Sequence, residues 1–321
     1  MIEFRHAIIE ALADELAADP SVFLLGEDIA AAGGVFKTTE GLLERFGPDR
    51  VIDTPISELA MTGAAFGSAL MGRRPVLEIM FGDFMALSMD SLINQSAKWR
   101  FLSNDQVTVP LTVRTAVGAG GRFGAIHSQN PGTWLHNVAG ISIVAPSTPG
   151  DAYGLLRSAI QADHPVLFLE HKRLFSMKGE LDRGLVELGT AAVVREGADL
   201  TMVSMMKGVH DALQAADLLA AEGTDVEVID LRSLRPLDLE TVVRSVEKTG
   251  RIVCVEEGPV TGGWAAGLVG QLAAQALDLM EDATIVSAPD LPVPFSPTLE
   301  DAWLPGAERI VSHVRARLAG V

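Results

Sequence analysis

Glu58 is the residue best placed for chemistry in this chain. It ends the stretch Asp53-Thr54-Pro55-Ile56-Ser57-Glu58, with no lysine or arginine beside it. Val51-Ile52 reads as the end of a strand. Ser57 reads as the N-cap of a helix built almost wholly from small and apolar residues, Leu59 to Met71. A helix that is apolar on nearly all faces is expected inside a protein. Burial raises a carboxyl pKa, and a helix N-terminus opposes that by favouring the charge. A carboxyl group between those influences suits proton exchange with a bound heteroaromatic ring. The alternative is a glutamate that caps its own backbone. Two other residues stand in loops at strand ends. Phe84 could stack on a planar ligand or fill the core. His127, in the glycine-dense loop 118–132, could be an acid, a base or an anion donor, or a surface histidine without a role.

The elements that must position these residues alternate along the chain. Helices are expected over 5–18, 38–46, 59–71, 85–99 and 149–162, with strands over 21–26, 74–80, 107–114, 141–145 and 165–170. The strands are continuous apolar runs, as in a parallel sheet covered on both faces. The rhythm is lost after residue 175 and resumes near 189. This divides the chain into a domain over 1–175, a linker over 176–188 and a smaller α/β domain over 189–321. The fold class is therefore α/β.

Composition narrows the function. The net charge of −17 disfavours nucleic acid and anionic membranes, which call for basic surface. No apolar run approaches the ~18 residues of a membrane span. Cys254 lies in a buried-strand pattern and reads as a core thiol; one cysteine suits a reducing cytoplasm. The seven histidines lack metal-ligand spacing, so no metal site is expected. There is no Gly-x-Ser-x-Gly elbow and no Walker loop. The string Gly118 to Gly124 has Phe123 where a dinucleotide fingerprint needs glycine.

Taken together, the motifs resemble one family. Gly26-Glu27-Asp28, Gly33-Gly34-Val35-Phe36, Thr54-Pro55-Ile56-Ser57-Glu58, Asn94-Gln95-Ser96-Ala97-Lys98-Trp99-Arg100, His127-Ser128-Gln129, Pro146-Ser147-Thr148-Pro149, Val228-Ile229-Asp230-Leu231-Arg232 and Pro292-Val293-Pro294-Phe295 run in a single order along nearly the whole chain. They resemble the beta subunit of the thiamine-diphosphate-dependent component of 2-oxo acid dehydrogenase complexes. The resemblance implies a transketolase-like pyrimidine-binding domain followed by a transketolase C-terminal domain. It implies that Glu58 hydrogen-bonds the ring nitrogen N1′ of the aminopyrimidine, that Phe84 and Ile56 contact the cofactor, and that His127 lines the channel and serves substrate or lipoyl chemistry.

The resemblance also implies partners. Gly82-Asp83-Phe84 is the nearest string to the Gly-Asp-Gly that marks a metal–diphosphate site, and it fails. Thiamine diphosphate would thus be shared with an alpha subunit that holds Mg2+, in an α2β2 assembly. A dihydrolipoyl acyltransferase core would receive the acyl group. The substrate would be pyruvate, a branched-chain 2-oxo acid or acetoin; the stretch 170–180 leans toward the acetoin branch. Where some members bind potassium, this chain has Ala162 and His164. A non-catalytic assembly subunit and a split transketolase are the competing readings. The chain on its own, given thiamine diphosphate and magnesium, is expected to show almost no turnover of a 2-oxo acid; full activity without a second chain would contradict the half-enzyme reading.

Overall fold

The runs Val22–Gly26, Thr112–Val117 and Val166–His171 are buried at every position in the computed structural model, which describes residues 1–318. Successive strand side chains point to opposite faces, so complete burial requires cover on both. These strands belong to a seven-stranded sheet. Its spatial order is Ser233–Arg235, Ser142–Val144, Val166–His171, Thr112–Val117, Arg74–Phe81, Val22–Gly26, Val51–Asp53. All neighbours are parallel except the first pair. That antiparallel edge comes from the second half of the chain. Three residues containing Ser233 and Arg235 carry no strand pattern, so the sequence did not announce it. A second sheet is ordered Asp282–Ala288, Arg251–Pro259, Leu200–Ser204, Val226–Asp230, Ala192–Arg195, with only the last strand antiparallel.

The helix Phe4–Ala18 packs along Pro149–Gln161. Tyr153 Oη donates to Asp14 at 2.6 Å and Arg157 Nε to Glu15 at 2.6 Å. Thr148 caps the second of these, accepting from Asp151 N at 3.1 Å. Three expectations need correction. The helix expected over 85–99 is a 3-10 turn Gly82–Ser88, a π turn Ser91–Ser96 and a short α-helix Ala97–Leu102. Serine hydroxyls compete for backbone there, as when Ser96 Oγ donates to Ser91 O at 2.8 Å. The helix expected from 38 begins only at Leu42, because Gly41 is left-handed (φ 77°). The segment 176–188 is no free tether: Lys178–Gly179 pairs with Ile2–Glu3, and Arg183 reaches Glu10 and Asp14. The helices Pro297–Trp303 and Ala307–Leu318 were not anticipated.

Arg114 anchors the middle of the first sheet and is 1% exposed. Its guanidinium grips Glu170 through Nε at 2.7 Å and Nη2 at 3.1 Å, and Glu78 through Nη1 at 2.8 Å. Three neighbouring strands are thereby cross-linked by one cation. Removing one partner of a buried ion network strands the rest in low dielectric. Arg114→Met is therefore expected to lower unfolding stability by about 3–5 kcal/mol in urea titrations. A triple change that also converts Glu78 and Glu170 to Gln should recover most of it. A loss below about 1 kcal/mol in the single variant would contradict this account.

Candidate active site

The strand Val51–Asp53 delivers the chain to a turn, and Glu58 opens the helix Glu58–Leu70. Glu58 is 6% exposed. Its carbonyl accepts from Thr62 Oγ1 at 2.6 Å and Ser88 Oγ at 3.0 Å, but no described residue donates to its carboxylate. It does not cap its own helix. Nor does Ser57, whose hydroxyl turns back to Pro55 O at 3.2 Å. The expectation of an all-round buried helix also needs correction. Met61, Thr62, Ala65 and Ala69 face inward, whereas Leu59 is 56% exposed and Ile56, in the preceding turn, 82%. The apolar composition is real, but this chain covers only one side of it.

Glu27 is a neighbour that the residue-by-residue reading missed. It follows the strand Val22–Gly26, is buried, and leaves Oε1 without a hydrogen-bond partner. Burial pushes its carboxyl above the ordinary range. The nearby Glu58 and Asp28 carboxylates push the same way, against an opposing backbone N–H from Ser57. The neutral form of Glu27 is thereby favoured. The usable signal was an acid placed immediately after a wholly apolar strand.

Phe84 and His127 meet in space, 43 residues apart in sequence. Their rings are 5.3 Å apart, edge to face, and Phe81 stands 4.7 Å from His127. Phe84 sits in the turn Gly82–Ser88, whose Ser88 touches Glu58, so one turn joins the acid to the histidine. Asp83 in that turn is committed to the His127 loop. Its Oδ1 accepts from Gln129 N at 3.3 Å and Nε2 at 2.8 Å. Its other oxygen is buried without a partner.

The His127 loop is fastened from several sides. Gly118 lies at φ +90°, and a Cβ there would meet the His171 ring at 2.2 Å. His171 Nε2 faces Glu257 at 2.9 Å, and Glu257 also accepts from Ala119 N at 2.5 Å. Lys172 Nζ donates to the His127 carbonyl at 2.6 Å. A cavity of about 660 Å³ lies where this loop meets the second sheet, lined by Ser128, Gln129, Trp134, Glu256, Trp264 and Trp303. None of Glu58, Ile56, Phe84 or His127 lines it. At 162–164, Ala162 O accepts from Arg74, and the His164 ring bonds Ser142 Oγ at 2.8 Å. Burial pushes the thiol of Cys254 strongly up, which keeps it an inert core group.

The geometry thus provides two neighbouring acids, Glu27 and Glu58, joined through one turn to an aromatic-walled histidine. Such a site can hold or move a proton on a flat heteroaromatic partner.

Comparison with known proteins bears on the family and the fold. Residues 1–178 match the transketolase pyrimidine-binding domain and residues 189–310 the transketolase C-terminal domain. The chain is 42% identical to the acetoin:2,6-dichlorophenolindophenol oxidoreductase subunit beta of Cupriavidus necator, covering 99% of this chain and 98% of that one. It is also 42% identical to the pyruvate dehydrogenase E1 component subunit beta of Bacillus subtilis, covering 97% and 96%. A solved split-gene transketolase, an inactive beta4 tetramer, shares the fold at TM-score 0.82 and 23% identity, over 99% of this chain and 98% of that one. The chain therefore belongs to the transketolase-like family of beta subunits that includes those of pyruvate dehydrogenase E1 and acetoin oxidoreductase.

Proposed function

We propose that this chain is the beta subunit of a thiamine-diphosphate-dependent oxidoreductase, active with an alpha subunit, that decarboxylates a 2-oxo acid and passes on the acyl fragment. The observation that carries the reading is Glu58, a residue 6% exposed whose carboxylate receives no hydrogen bond from its own chain. The buried, unpartnered Oε1 of Glu27 beside it supports the same fit. Both suit an aminopyrimidine, which brings a ring nitrogen that can carry a proton and an amino group that can donate. When bound, thiamine diphosphate supplies the electron sink for cleavage of the bond next to the carbonyl.

The roles of the chain's own residues follow. Glu58 holds a proton at the ring nitrogen, and Glu27 stands beside it with its own neutral form favoured by burial. Phe84 and Ile56 give the ring apolar contact. His127, edge-on to Phe81 and Phe84, exchanges a proton with substrate or with the accepting lipoyl group. Asp83 is tied to Gln129, so we assign Mg2+ and the diphosphate to the alpha subunit. The exposed apolar rim of Ile56, Leu59 and Leu87 suits that subunit as the second wall. A dihydrolipoyl acyltransferase core is the expected acceptor, and the net charge of −17 suits a basic docking module on it.

Acetoin cleavage is the second reading. It is favoured by the near-complete overlap with the acetoin oxidoreductase beta subunit and by the stretch Glu170-His171-Lys172-Arg173-Leu174-Phe175. The test is the assembled alpha–beta pair reducing 2,6-dichlorophenolindophenol with pyruvate, branched-chain 2-oxo acids or acetoin. Glu58→Gln, which keeps shape and removes charge, is expected to cut turnover by about a hundredfold or more while assembly persists. Turnover within about twofold of the unaltered pair would reject the role of Glu58 and favour a scaffold subunit.

A further inference from the structure

The ring of His127 makes no hydrogen bond to a described residue; two aromatic edges and the path of its backbone orient it. Lys172 touches both. Its Nζ donates to the His127 carbonyl at 2.6 Å and lies 5.6 Å from the Phe81 centroid and 5.7 Å from that of Phe123. Lys172 is buried, yet among the described residues no carboxylate forms an ion pair with it. Asp83, Glu257 and Glu300 act on it only through the longer-range field.

A buried ammonium without a paired anion is costly. In a surround of phenyl rings, an unbranched apolar side chain of similar length would pack without that cost. The ammonium's directed bond goes to the carbonyl of the one residue in the loop with acid–base chemistry. The rest of the loop is fixed independently. Glu300, fully buried, accepts from Gly120 N at 2.8 Å, Arg122 N at 3.1 Å and Arg122 Nη1 at 2.7 Å. Glu257 holds Ala119, and Asp83 holds Gln129. Between those fastenings, residues 123–128 have Lys172 as their side-chain tether.

We propose that Lys172 is a positioning residue for His127, setting the imidazole against Phe81 and Phe84 through the 127 carbonyl. The inference rests on the reading of His127 as a group that meets substrate. Lys172 itself need not touch the reacting atoms.

The charge of Lys172 gives the proposal a pH signature. Burial pushes its pKa down to about 8, with Asp83, Glu257 and Glu300 opposing. His127 and His171 are the other titratable groups beside it. The ammonium is therefore intact below pH 8 and is lost as pH rises through that value, weakening the bond to the 127 carbonyl.

The test uses the assembled alpha–beta pair with thiamine diphosphate and magnesium, following 2,6-dichlorophenolindophenol reduction with pyruvate and with acetoin. Lys172→Met should lower kcat by about tenfold to a hundredfold. In a His127→Ala background the same change should cost less than about twofold. If Lys172→Met does not assemble, Lys172→Arg decides. A guanidinium keeps its charge, so the alkaline limb of kcat near pH 8 should move up by at least about one unit. Equal fold-losses for Lys172→Met with and without His127, or an unmoved limb in Lys172→Arg, would overturn the proposal. Losses in Glu58→Gln and His127→Ala alongside an independent Lys172→Met would remove this inference alone. Full turnover in His127→Ala would remove the role of His127 and this proposal with it.

Discussion

A carboxylate on a largely buried residue, offered no donor by its own chain, is the constraint around which the site is arranged. Glu58 is 6% exposed, and its neighbours offer their hydroxyls to its carbonyl, not to its side chain. Such a group is open to a donor from a bound partner. A helix N-terminus favours its charge. Burial and the nearby Glu58 and Asp28 charges push the neighbouring Glu27 toward its neutral form. The fold creates this pairing in a simple way. Parallel strands Val22–Gly26 and Val51–Asp53 end side by side, and each releases an acid from its C-terminal end, where open α/β sheets place ligands.

The second sheet contributes through the loop that carries His127. Glu257, at the end of Arg251–Pro259, and Glu300, in Pro297–Trp303, hold backbone N–H groups of that loop across the boundary between the two units. The edge strand Ser233–Arg235 crosses the same boundary in the other direction. The two units therefore share hydrogen bonds on the loop that carries His127. Arg114, Glu78 and Glu170 make the first sheet rigid beneath it. Ile56 and Leu59, on the outer side of the Glu58 helix, are left bare.

Much of this was legible in the sequence. The apolar strand runs, the two-part alternation and Glu58 at a strand-to-helix junction were all readable from the period of the pattern. The exposed face of the helix Glu58–Leu70 was not, because composition reports that a face will be covered but not by which chain. The split of 82–102 into 3-10, π and α segments escaped because it depends on the Ser88 and Ser96 hydroxyls finding backbone partners. The edge strand Ser233–Arg235 escaped because its partner lies about ninety residues earlier. Glu27 was visible only as part of a motif; its lack of a partner is a three-dimensional fact. Lys172, Glu257 and Glu300 come from three distant segments and converge only after folding.

The most direct measurement is a structure of the assembled alpha–beta pair with thiamine diphosphate bound. The account requires the Glu58 carboxylate within hydrogen-bond distance, about 2.6–3.0 Å, of the aminopyrimidine ring nitrogen, with the alpha subunit closing over Ile56. An aminopyrimidine seated elsewhere, for instance in the Trp-lined hollow beside Glu256, with Glu58 still unpartnered, would contradict it.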